Sequence, residues 1–107
     1  PDMKQKPTKG SIKNESANGL ANKRGTISMA RTNVPDSATS QFFINTVNNG
    51  FLDKAQAGDG VGYCVFGTVT SGLEVLDSIE TVKTGNKMGH GDVPTEAVEI
   101  KSIKRAQ

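Results

Sequence analysis

Tryptophan is missing from this chain, and cysteine, histidine and tyrosine occur once each. A lone Cys64 can form no internal disulfide. No histidine or basic residue adjoins it to lower its pKa, so it is expected to be a small buried strand residue rather than a reactive thiol. His90 lies between two glycines with no second ligand nearby, which predicts a solvated loop position rather than a catalytic base. No apolar run is long enough to cross a bilayer. Walker loop, dinucleotide fingerprint, paired-cysteine motif, nucleophile elbow and metal-spaced histidines are all absent. Hydride, phosphoryl, acyl and metal chemistry therefore lack support, and neither a metal nor another cofactor is expected. The sequence starts Pro1-Asp2-Met3-Lys4 without a basic and apolar leader, although one could lie upstream.

What is present is modest in apolar content. Leu, Ile, Val and Phe make up 23 of 107 residues, close to the level at which a chain struggles to bury a core, so a single thin domain over residues 1–107 is expected. The net charge of +2 hides an asymmetry. Residues 1–31 carry seven basic groups against Asp2 and Glu15, a surplus of five, which leaves the remainder at −3. These basic groups lack interleaved aromatics and no nucleic-acid fingerprint follows, so a solvated face is favoured over a nucleic-acid contact.

Along the chain, residues 1–20 read as an irregular polar arm with a short extended piece near Ile12. Thr26–Arg31 alternates apolar with small or polar residues, the pattern of a strand with one buried face. Asn33–Ser37 is a surface turn, and Gln41–Thr46 a second strand. Asn48-Asn49-Gly50 marks a turn that leaves Phe51 and Leu52 on a loop too short for an element of its own. Residues 55–62 are glycine-rich and aperiodic. Tyr63–Val69 is β-branched and aromatic enough for a third strand, with Gly67 marking a bulge or a close backbone approach. Ser71-Gly72-Leu73-Glu74 matches a capping box before a helix over about Gly72–Thr81, whose apolar stripe is Leu73, Leu76 and Ile79. Residues 83–94 read as a glycine-rich loop, and Val98–Ile103 as a closing strand. Short strands, turn clusters and one helix predict a mainly antiparallel β architecture, closed or nearly so.

Two adjacent aromatics on a strand point to opposite faces, so one of Phe42 and Phe43 can enter the core while the other lines a surface hollow. Phe43, Phe51, Leu52 and Tyr63 with the amide of Gln41 make a lining suited to an apolar ligand oriented by few hydrogen bonds.

Several strings in one order then resemble the cyclophilin family. They are Gly25-Thr26-Ile27-Ser28-Met29-Ala30, Ser40-Gln41-Phe42-Phe43-Ile44, Phe51-Leu52-Asp53, and Val65-Phe66-Gly67-Thr68-Val69 with Gly72 and Val75. The resemblance covers nearly the whole chain. Its nearest flavour is the bacterial type, in which Gly62-Tyr63 precedes the Val-Phe-Gly strand. It implies a peptidyl-prolyl cis-trans isomerase that assists protein folding. The implied fold is an eight-stranded antiparallel barrel with capping helices, of which this chain supplies the later strands and the second helix.

By the same resemblance, Phe43 forms the floor of a proline pocket with Leu52 and Ala30 along its walls. Gln41 bonds the substrate backbone, and Arg31 stands where an asparagine usually contacts it. Phe51 replaces a tryptophan and Tyr63 a histidine of many eukaryotic members. Loss of that indole N–H implies weak inhibition by cyclosporin-type drugs. The family's catalytic arginine belongs to a segment just upstream of the point matching Pro1, so no residue here is assigned that role. Spacing gives Arg24 and Arg31 no support as substitutes, and a solvated arginine is the expected state. The expected partners are proline-containing polypeptides and a complementary N-terminal segment that completes the barrel, without membrane or nucleic acid. The expected compartment is the cytoplasm, with the periplasm left open. Two other readings remain: a module that grips proline segments without turnover, and a small basic β-barrel that binds nucleic acid through residues 1–31.

Overall fold

The alternating run after Gly25 pairs as its pattern predicts. In the computed structural model, which describes residues 3–106, β1 (Thr26–Met29), β2 (Phe42–Ile44) and β3 (Val65–Thr68) form an antiparallel sheet ordered β2-β1-β3. Each strand is shorter than the run that predicts it. Isolated backbone bonds continue the pairing beyond the ends, with Ala30 N–H donating to Gln41 O at 3.0 Å and Asn45 N–H to Thr26 O at 2.9 Å. Ser28 stands opposite Phe43 and Met29 opposite Phe42, so Ser28 and Phe43 share one face of the sheet and Met29 and Phe42 the other. The irregularity expected at Gly67 is present. The β1–β3 register shifts between Ile27, opposite Gly67, and Ser28, opposite Val65.

The chain forms two compact units, one of residues 7–71 and one of residues 3–6 with 72–106. In the first, the most deeply buried side chains are polar. Ser28 is 0% exposed and Asn22 and Asn45 are each 1% exposed, while Ala38 and Val65 are the buried apolar residues among those described. Buried amides are tolerated only when bonded, and here they bond one another. Ser28 Oγ donates to Asn22 Oδ1 (2.6 Å), and Asn45 Nδ2 donates to both Asn22 Oδ1 (3.1 Å) and Thr26 Oγ1 (2.9 Å). Asn22 Nδ2 donates in turn to Asp53 Oδ1 (2.9 Å) and Tyr63 O (3.2 Å).

The opening arm is irregular, as expected, but its second half is pinned. Ile12 bridges Ala38, Asn14 N–H donates to Asp36 Oδ1 (2.8 Å), and Asn18 Nδ2 donates to Val65 O (2.9 Å). Ser16–Asn18 is a 3-10 turn closed by Gly19 in the left-handed region (φ 80°). Phe51 and Leu52, expected on a bare loop, also lie in a 3-10 turn, Gly50–Leu52.

In the second unit, helix α1 spans Leu73–Glu80 between Gly72 and Thr81, as its stripe predicts. The capping box does not form. Gly72 is the cap, at φ 94° with no side-chain bond, so Ser71 lies one residue too early to serve. Residues 83–94 are not a loop but a hairpin of β4 (Thr84–Lys87) and β5 (His90–Pro94). Met88 (φ 51°) and Gly89 (φ 81°) form its two-residue turn, the paired positive φ of a primed turn that matches strand twist. The strand expected at Val98–Ile103 does not form. Alternation favours a strand only where a neighbouring ladder exists, and among the described residues none pairs with this segment, whose Ile100 and Ile103 are exposed.

Candidate functional site

β2 carries Phe43, and the turn that returns the chain to β3 carries Tyr63. Their rings meet edge to face, centroids 5.8 Å apart at 78°, the arrangement in which a positive ring edge faces a negative ring face. Phe43 is half-buried, not enclosed. Tyr63 N–H donates to Leu52 O at 2.9 Å, which ties the Gly50–Leu52 turn to the start of the segment leading into β3. Phe51 is 65% exposed. On the other side, the bond from Ala30 N–H to Gln41 O joins Ala30 to an exposed Gln41. Ring contact thus joins Phe43 to Tyr63, and main-chain bonds join Tyr63 to Leu52 and Ala30 to Gln41, all within the first unit.

The expectation of a solvated Arg31 is overturned. Its side chain is only 2% exposed and pairs with Asp59, Nη2 to Oδ2 at 2.7 Å. Nη2 also donates to Gly62 O (2.6 Å) and Nη1 to Thr32 O (2.9 Å). The guanidinium carbon lies 4.5 Å from the centre of the Tyr63 ring, where a cation is attracted by the ring face. A planar guanidinium makes these contacts at once because its donors are fixed in a fork.

Asp59 is the site residue that sequence reasoning missed. Its Oδ1 accepts the N–H groups of Val61 (2.9 Å) and Gly62 (3.0 Å) while Oδ2 holds Arg31. The Arg31 guanidinium first, then the Gly62 and Val61 amides, hold its carboxyl far below the usual carboxylate range. The Asp59-Gly60 pair was the available signal, since Asp before Gly marks a turn whose side chain bonds backbone two residues on. Cys64 is half-buried, and desolvation pushes its thiol up, which keeps it neutral. His90 is exposed on β5.

Gly62 fits this site because nothing larger can. It sits at φ 78°, and an added Cβ would lie 2.6 Å from Lys54 N and 2.8 Å from Leu52 O. Both are main-chain atoms that cannot swing aside. Gly62→Ala is expected to destabilise the chain by about 2–4 kcal/mol, read as a lowered urea midpoint. An unchanged midpoint would show that the loop can rearrange.

An apolar cavity of about 260 Å³ lies on the Met29 side of the sheet rather than at Phe43. Its lining includes Ile12, Met29, Pro35, Ala38 and Phe66. No helix among the described residues is long and apolar enough to cross a membrane.

The antiparallel sheet and the turns beside it thus carry half-buried and exposed aromatic side chains and one exposed amide, with the Arg31 cation already paired. Residues 1–105 match the model of the family described as cyclophilin type peptidyl-prolyl cis-trans isomerase, and the chain belongs to that family. It is 55% identical over 104 residues to peptidyl-prolyl cis-trans isomerase B of Escherichia coli (strain K12), covering 96% of this chain and 63% of that protein. With peptidyl-prolyl cis-trans isomerase cyp18 of Streptomyces antibioticus it shares 53% identity over 105 residues, 97% of this chain and 63% of the relative. With peptidyl-prolyl cis-trans isomerase A of Dickeya dadantii (strain 3937) the identity is 54% over 103 residues, 96% of this chain and 53% of the relative. The chain thus spans a little over half to under two thirds of the length of these relatives.

Proposed function

We propose that this chain contributes the proline-binding wall of a peptidyl-prolyl cis-trans isomerase acting on Xaa-Pro bonds of flexible polypeptides. The observation that carries the reading is the edge-to-face contact of Phe43 with Tyr63, bonded through the backbone to Leu52. Rotation about a peptide bond faces a barrier of about 18–20 kcal/mol because amide resonance must be broken, and Xaa-Pro bonds exchange over roughly tens to hundreds of seconds. No covalent bond is made or broken in the chain. An apolar wall that holds the proline ring while the preceding carbonyl turns, and that binds the twisted amide more tightly than either planar form, lowers that barrier. Gln41, exposed beside Ala30, supplies a hydrogen bond to the substrate backbone, and Phe51 and Leu52 extend the apolar surface.

The architecture we assign to the whole protein is the eight-stranded barrel with capping helices, as one domain, completed by a segment that covers the Met29 side of the sheet. Support comes from the cavity there and from Phe66, which lines it and is exposed. The reading is tested with this chain alone and with an added polypeptide matching the portion of the relatives that it does not span. Isomer-coupled proteolysis of a Pro peptide should accelerate, most strongly in the completed pair. Peptide binding with no acceleration in either sample would instead favour the binding module.

Phe51 offers a ring but no N–H. Phe51→Trp is expected to tighten cyclosporin binding by about five- to tenfold, the value of one added hydrogen bond. Equally tight binding by both forms would refute the role given to position 51.

A further inference from the structure

We propose that Arg31 is a positioning residue: clamped by Asp59, it holds the Tyr63 ring edge-on to Phe43 and so sets the width of the proline wall. The inference rests on the isomerase reading of this site and goes beyond it by giving Arg31 and Asp59 roles that involve no contact with substrate. The side chain of Arg31 is turned inward, with its terminal nitrogens donating to Asp59, Gly62 O and Thr32 O. Its Nε is buried without a hydrogen-bond partner among the described residues. An arginine whose terminal nitrogens are all engaged within the chain is well placed to fix what it touches, although part of its side chain also lines the cavity beside Met29. What it touches is the face of Tyr63, at 4.5 Å, and Tyr63 in turn meets Phe43.

Three connections make the clamp rigid. Asp59 bonds the Val61 and Gly62 amides with one oxygen and Arg31 with the other. Gly62 O returns to Arg31, closing a ring of contacts just before Tyr63. Tyr63 N–H is held by Leu52 O, which leaves its ring to be oriented by whatever packs on its faces. A cation on one face and the Phe43 ring beside it fix that orientation. Lysine would supply charge but not the planar fork needed to meet Asp59, Gly62 O and the ring together.

The test uses the 107-residue chain, completed by the added polypeptide of the preceding experiment, with Arg31→Met, Arg31→Lys and Asp59→Asn. Two readouts apply to each: NMR contacts between the Phe43 and Tyr63 rings, and the KM and kcat for isomerisation of the peptide Ala-Ala-Pro-Phe followed by exchange spectroscopy. Arg31→Met should lose the ring contacts and raise KM about tenfold with kcat changed less than about twofold. Asp59→Asn should fall between Arg31→Met and the parent, and Arg31→Lys should restore the contacts only in part. Retained ring contacts with an unchanged KM in both Arg31→Met and Asp59→Asn would overturn the proposal, even if stability drops. Should Arg31→Met fail to fold, Asp59→Asn decides alone, because it alters only a half-exposed carboxylate. If the parent shows the ring contacts and the variants lose them, yet the completed pair neither binds nor turns over the peptide, the clamp stands and the isomerase reading falls.

Discussion

Phe43→Ala is expected to weaken binding of a Pro-containing peptide by about 100-fold while the chain stays folded. Burying a phenylalanine-sized surface is worth about 1.5–3 kcal/mol, and an edge-to-face ring pair adds about 0.5–1.5 kcal/mol. Each 1.4 kcal/mol is about tenfold in affinity. The fold should survive because Phe43 is half-exposed and its strand is held by backbone pairing with Ser28. Phe42 supplies the control. It pairs with Met29 and faces the other way, so Phe42→Leu should lower the unfolding midpoint and leave affinity alone. Titration of a labelled Pro peptide against both variants separates the two effects, and equal losses of affinity would show that the two faces of β2 are wrongly assigned.

Asn22→Ala should destabilise the chain by about 3–5 kcal/mol, a large part of the roughly 5–15 kcal/mol available to a domain of this size. The side chain of Asn22 makes four hydrogen bonds: two donated, to Asp53 and Tyr63 O, and two accepted, from Ser28 and Asn45. That is the full capacity of an amide. Truncation strands the Ser28 hydroxyl, which is 0% exposed, at a cost of about 1–3 kcal/mol, and weakens the other partners as well. The main-chain bonds from Asn49 N–H to Asn22 O and from Asn22 N–H to Asp53 survive the truncation, while the side-chain bond to Asp53 is lost. The retained pair holds both ends of the turn carrying Phe51 and Leu52, so the loss should fall on the buried network rather than on that turn. Urea unfolding of Asn22→Ala measures the loss, and a midpoint within error of the parent would show that water takes the place of the amide.

The alternating run at Thr26, the paired aromatics at Phe42 and Phe43 and the stripe at Leu73 were legible because their side-chain period is local. The same period failed at Val98–Ile103, since alternation says which face a strand would bury but not whether a neighbour exists to pair with it. The hairpin at Thr84–Pro94 was illegible for the opposite reason. Glycine, asparagine and lysine have little strand preference, and the pairing comes from a two-residue turn whose Met88 carries no left-handed signature. At the site, the aromatic and aliphatic members were readable and the clamp was not. Arg31 and Asp59 are 28 residues apart, and no spacing rule connects an arginine at a strand end to an aspartate in an aperiodic loop. The resemblance placed Arg31 in the site without revealing that its charge is already matched.

The amide and hydroxyl groups packed beneath β1 also bear on how this protein should respond to temperature. Wetting hydrocarbon on unfolding raises heat capacity by about 0.45 cal/K/mol per Å², whereas wetting polar groups lowers it by about 0.26. A chain whose best-shielded side chains are Asn22, Asn45 and Ser28 should therefore show a calorimetric increment below the usual value of about 12–15 cal/mol/K per residue. Its stability curve should be correspondingly flat, varying little between a cold and a warm cell.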